Sequence, residues 1–87
     1  MIKREATCGQ EAKSDCIVTV QPSDTLEIVV KSKLQKLYGK AIQKTAEEMA
    51  EKLGVEKGKI LINDFGALDW VLRARIECAI KRAEEEA

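Results

Sequence analysis

The hydrophobic period of this chain changes at Ser32, and that change restricts the fold more than any other feature of the sequence. Before it, Cys16-Ile17-Val18-Thr19-Val20 and Leu26-Glu27-Ile28-Val29-Val30 are short β-branched runs separated by a turn at Pro22-Ser23-Asp24. Together they predict an antiparallel hairpin. Leu26, Ile28 and Val30 share one pleat face and Glu27 and Lys31 the other, so the second strand is expected to bury one side. After Ser32, Leu34, Leu37, Tyr38, Ala41, Ile42, Thr45, Ala46, Met49 and Leu53 recur at steps of three and four, the stripe of an amphipathic helix. Ser32 reads as its N-cap and Gly54 as the residue just past its end.

The run Ile60-Leu61-Ile62 predicts a third strand, and the helix before it permits a strand-helix-strand crossover. Asn63-Asp64-Phe65-Gly66 turns the chain into a final helix, with Asp64 as its candidate cap. Leu68, Val71, Leu72, Ile76, Ala79, Ile80 and Ala83 form its apolar stripe, and Asp69 with Arg73 and Glu77 with Lys81 stand at favourable i,i+4 spacing. The order is therefore β-β-α-β-α. Two single-sided helices and three short strands are buried most economically with both helices on one face of a short mixed sheet, a two-layer α+β domain. Residues 1–15 carry neither period and read as a flexible N-terminal arm of a single 1–87 domain.

Charge and composition narrow the function. Fifteen basic residues balance fifteen acidic ones, so no field of one sign draws the chain to nucleic acid or an anionic membrane. There is no histidine, which removes the commonest metal ligand and the side chain that titrates near neutral pH. With 87 residues the core is modest and leaves no room for a deep catalytic cleft. Cys8, Cys16 and Cys78 form no C-x-x-C pair, and an odd count without an apolar leader predicts free thiols in the cytoplasm. No stretch approaches the ~18 apolar residues of a membrane span.

The searches for a metal site, a catalytic triad and a phosphate loop are therefore empty, and no catalytic residue is assigned. Asp64 and Asp69 read as a cap and a surface charge rather than as a catalytic pair. Ser14, beside Asp15 in the polar arm, is an accessible hydroxyl that a modifying enzyme could reach. Arg73 and Arg75 project from the last helix about 200° apart, so one stripe cannot bury both. One of them is free for docking or for holding phosphate, a task suited to the guanidinium fork.

The stretch Asp64-Phe65-Gly66-Ala67-Leu68-Asp69-Trp70-Val71-Leu72-Arg73-Ala74-Arg75 resembles the Asp-x-Gly-Ala-Leu-(Asp/Glu)-x-(Ile/Val)-Leu-Arg-Ala-Arg signature of the citrate lyase acyl carrier proteins, the gamma chains. Tyr38-Gly39-Lys40-Ala41-Ile42 is similar to the family's Phe-Gly-x-Ala-Ile, and the likeness extends over nearly the whole chain. The resemblance implies a non-catalytic carrier of an acetyl or citryl thioester. Its implied prosthetic group is 2′-(5″-triphosphoribosyl)-3′-dephospho-CoA, attached by a phosphodiester to a serine in a Gly-Thr-x-Glu-Ser-(Ser/Gly)-Asp stretch. Here that stretch is Gly9-Gln10-Glu11-Ala12-Lys13-Ser14-Asp15, which sets Lys13 in the acceptor column and Ser14 in the next. Ser14, the only hydroxyl between Thr7 and Thr19, is the expected attachment point, and Arg73 and Arg75 are candidates for the cofactor's phosphates.

The resemblance also implies partners: a transferase (alpha) subunit, a lyase (beta) subunit and the enzyme that transfers the prosthetic group. Two alternatives remain open at this point. One is the related carrier of malonate decarboxylase, and the other is an unmodified α+β scaffold or adaptor, which Lys13 keeps in view.

Overall fold

The computed structural model describes residues 2–32 and 35–85. Its elements are β1 (Ala6–Gly9), β2 (Cys16–Gln21), β3 (Leu26–Ser32), α1 (Gln35–Lys52), β4 (Gly58–Asp64) and α2 (Asp69–Glu84). The expected α+β architecture is present, with both helices on one face of a mixed sheet. Within the described residues the helical stripe of α1 is buried at Ile42, Thr45, Ala46 and Met49. Leu34 lies outside those residues, as do the side chains of Leu37 and Tyr38.

The strand order β1-β2-β4-β3 departs from the sequence-based expectation in two ways. The predicted hairpin between β2 and β3 does not form, because β4 stands between them, antiparallel to β2 and parallel to β3. The physical reason lies in the crossover: α1 returns the chain to the start of β3, so the next strand runs in the same direction beside it. Ile60 and Ile62, both fully buried on β4, then take the centre of the sheet with a neighbour on each side. The second departure is β1, formed by residues 6–9 of the expected arm, which pairs antiparallel with β2. The actual hairpin is β1-β2, closed by residues 10–15.

Cross-strand register builds the core in rows. Cys8, Val18, Ile62 and Val30 form one row, and Ala6, Val20, Ile60 and Ile28 the next. Ile76 and Ile80 of α2 are fully buried in the same cluster, each side chain contributing roughly 1.5–3 kcal/mol relative to exposure. At one end a third row, Cys16, Asp64 and Ser32, interrupts the apolar pattern with two polar residues. That end carries the connections at residues 10–15 and 65–68.

Helix ends follow local chemistry. Past α1, Val55 N–H donates to the Ala50 carbonyl at 2.8 Å and Gly54 N–H to that of Glu51 at 3.1 Å, with Gly54 at φ +71°. This is the Schellman arrangement expected of Gly54. Ser32, read as the N-cap of α1, is instead the last residue of β3, and its hydroxyl donates to Asp64 Oδ2 at 3.2 Å. Asp64 does not cap α2, whose N-cap is Leu68 without a side-chain bond. Its Oδ1 accepts from Ala67 N–H at 2.9 Å and so braces the loop ahead of the helix.

Candidate functional site

The site begins at the β1-β2 connection. Gly9, at φ +110°, pairs with Ile17, and a Cβ there would land on the Cys16 carbonyl oxygen, so the two strands close tightly only with glycine. Asp15 N–H donates to the Ala12 carbonyl at 3.1 Å, which makes residues 12–15 a turn with Ser14 in its third place. Ser14 has φ +65°, the left-handed region uncommon for residues other than glycine. Its N–H donates to the Phe65 carbonyl at 3.0 Å, and Phe65 N–H donates to the Asp15 carbonyl at 3.0 Å. The backbone on which Ser14 sits is therefore sewn to the loop after β4. Its hydroxyl is exposed and makes no hydrogen bond to the described residues.

Asp15 holds this turn from below. Asp15 is only 8% exposed, and its carboxylate accepts from Arg75 Nε at 3.1 Å, Arg75 Nη2 at 2.8 Å and Cys16 N–H at 2.7 Å. The two-pronged contact from Arg75 and the backbone bond hold the Asp15 carboxyl below the usual range. Arg75 is held charged by the same partner, and its Nη1 also approaches Cys8 Sγ at 4.0 Å. Beside it, burial and the charges of Asp15 and Asp64 push the Cys16 thiol up to about 12. All three cysteines are free.

Across the loop, Asp69 accepts from Arg73 Nε at 2.7 Å and from the Thr45 hydroxyl at 3.1 Å, while Arg73 Nη2 reaches Glu48 Oε2 at 3.1 Å. The expected Asp69-Arg73 pair is present, and it extends into a clasp between α1 and α2. It lowers the Asp69 pKa, the Arg73 bond being the main cause and the Thr45 bond a lesser one. The other expected pair, Glu77 with Lys81, closes at 2.9 Å. Both arginines singled out in the sequence thus direct their forks at carboxylates, and it is Arg75 that reaches the loop of Ser14.

Between these two loops lies an open groove of about 940 Å³. Lys13 stands on one rim, Ala41 and Ile42 of α1 and Leu72 of α2 form its apolar wall, and Thr45 and Asp69 lie beside them. Sequence reasoning missed it. Ala41, Ile42 and Leu72 carry the signal of helical stripes, and nothing local marks where two stripes diverge to leave a gap.

Residues 3–83 match the malonate decarboxylase delta subunit family. The citrate lyase acyl carrier protein of Treponema denticola is 42% identical over 85 residues, 98% of either chain. The chain belongs to the citrate lyase acyl carrier protein family. The family member of Clostridium perfringens is 46% identical over 86 residues, covering 97% of this chain and 85% of that one. The fold recurs in the crystal structure of a Pseudomonas malonate decarboxylase hetero-tetramer in complex with malonate. There the TM-score is 0.72, with 20% identity over 94% of this chain and 86% of that chain. As a family member, this chain is an acyl carrier. Among the described residues no helix is long and apolar enough to cross a membrane.

Proposed function

We propose that the chain carries its acyl group on the phosphoribosyl-dephospho-CoA left when Ser14 Oγ attacks the α-phosphorus of 2′-(5″-triphosphoribosyl)-3′-dephospho-CoA, forming a phosphodiester and releasing pyrophosphate. It presents that group in the cytoplasm to the transferase (alpha) and lyase (beta) subunits of citrate lyase. The observation that carries this reading is Ser14 itself, an unengaged, exposed hydroxyl on a turn whose backbone is fixed from two sides. When bound, the group supplies a terminal thiol able to hold an acyl group as a thioester.

The chain's own residues account for the rest. Ser14 provides the ester oxygen, and Asp15 with Arg75 keeps the turn that presents it. Lys13, exposed and without a carboxylate partner among the described residues, supplies positive charge beside the phosphodiester. Arg73 is bonded to Asp69 on the groove and reaches a cofactor phosphate by exchanging one of its carboxylates. Leu68 and Trp70, 60% and 69% exposed, offer apolar contact to a partner subunit or to the prosthetic-group transferase.

Intact mass tests the proposal. Produced together with the prosthetic-group transferase, the chain should gain one phosphodiester-linked group, peptide mapping should place it on Ser14, and Ser14→Ala should abolish it. A bare polypeptide mass in an active lyase complex overturns the reading and leaves an unmodified scaffold. Citrate turnover is expected only when the transferase and lyase subunits are added, and oxaloacetate release by the loaded chain alone would contradict the carrier role.

A second reading, a malonate decarboxylase type of carrier, is favoured by the match of residues 3–83 to that family. Reconstitution separates the two, since only one set of partner subunits, with citrate or with malonate, restores turnover.

A further inference from the structure

We infer that the groove between the Ser14 turn and the α1-α2 clasp holds the adenosine of the prosthetic group, leaving the thiol end of the arm free. This inference rests on the attachment proposed above. The first argument is contiguity: Lys13 lines the groove and Ser14 follows it, while Ser14 N–H is bonded to Phe65, another lining residue. Whatever is esterified to Ser14 Oγ therefore starts one residue along the chain from the groove's lining.

The second argument is the order of parts along the group. From the serine outward come the phosphodiester, the added ribose and the adenosine, and only then the pyrophosphate and the pantetheine arm. The part closest to the protein is thus a flat base with two apolar faces. A groove of about 940 Å³ lies within the ~300–1,000 Å³ of small-molecule sites. Its wall of Ala41, Ile42 and Leu72 suits the faces of a purine. The Asp69 carboxylate beside that wall accepts one bond at each oxygen, from Thr45 and from Arg73, and keeps a second lone pair on each for an exocyclic amine.

The pantetheine arm fits less well. To enter the groove it would fold back across the pyrophosphate, and its amides would be laid against the apolar wall of Ala41, Ile42 and Leu72. Seating the nucleoside shortens the free tether to its pantetheine part. A shorter tether raises the local concentration of its end within reach.

Methyl-labelled full-length chain, loaded by the transferase and checked by intact mass, gives the test. Nuclear Overhauser contacts are expected from adenine H2 and H8 to the methyl groups of Ala41, Ile42 and Leu72. Ala41→Trp, which fills the groove from an exposed helix position, should retain the added mass and lose those contacts. A loaded chain whose adenine protons touch none of these methyls, or whose pantetheine protons touch them instead, overturns the inference while leaving the attachment intact. A chain that gains no mass overturns the attachment, and free probes then judge the groove. On Ser14→Ala, dephospho-CoA should shift the Ile42 and Leu72 methyls at a concentration at least tenfold below that needed for pantetheine, and the reverse order counts against adenosine.

Discussion

Gly9 and Gly54 both hold left-handed backbone, yet their surroundings differ, and so do the expected costs of a side chain. At Gly54 nothing lies within reach of a new Cβ, so Gly54→Ala should cost only the conformational penalty, about 1–2 kcal/mol. At Gly9 the new Cβ meets the Cys16 backbone, which cannot move without opening the β1-β2 ladder. Gly9→Ala should therefore cost more, on the order of 3 kcal/mol, and paired urea titrations would show it. Arg75 and Arg73 make a similar contrast. Lysine at either position keeps the charge and loses the fork. Because the Arg75 fork holds the turn of Ser14, Arg75→Lys should slow the proposed loading of Ser14 more than Arg73→Lys, as followed by mass against time. Equal rates would show that the turn needs only charge.

At the scale of elements, the β1-β2 connection is tied to α2 by one carboxylate, and that tie is sensitive to pH. The Asp15 pKa is lowered in the folded chain, so its contribution is present above the ordinary value near 3.8 and is lost as pH falls through the folded value. The urea midpoint difference between the native chain and Asp15→Asn should be largest near neutral pH and shrink below about pH 4. Cys16 acts at the other end of the scale. Its thiol stays protonated to about 12 when folded but ionises near 9 when unfolded, so stability should fall between those values. One group gives a slope of roughly 1.4 kcal/mol per pH unit, and Cys16→Ala should lack it. Both helices, the Gly54 stop and the i,i+4 pairs were legible in the sequence because each is written within a few residues. The Asp15-Arg75 pair was not, since its partners are 60 positions apart and only the fold joins them. Strand order was illegible for a related reason: the β-branched pattern of Leu26 to Val30 fits either an antiparallel or a parallel neighbour. The four residues Ala6–Gly9 were too few to show an alternation.

For the whole molecule, the order β1-β2-β4-β3 leaves β3 outermost, and its Leu26 and Val29 are exposed. An outer strand of seven residues with unpaired backbone groups is a template on which another chain could add. Glu27 and Lys31 are exposed on the same strand, on either side of Val29 along the face turned away from the helices. Charges so placed discourage a second copy from aligning its own edge there. Replacing both with valine should leave the monomer's core untouched and yet produce dimers and larger species in light scattering at raised concentration. The balanced charges of β3 would then be read as a guard against self-association, which the carrier role proposed above, with several subunits to meet, gives the chain reason to keep.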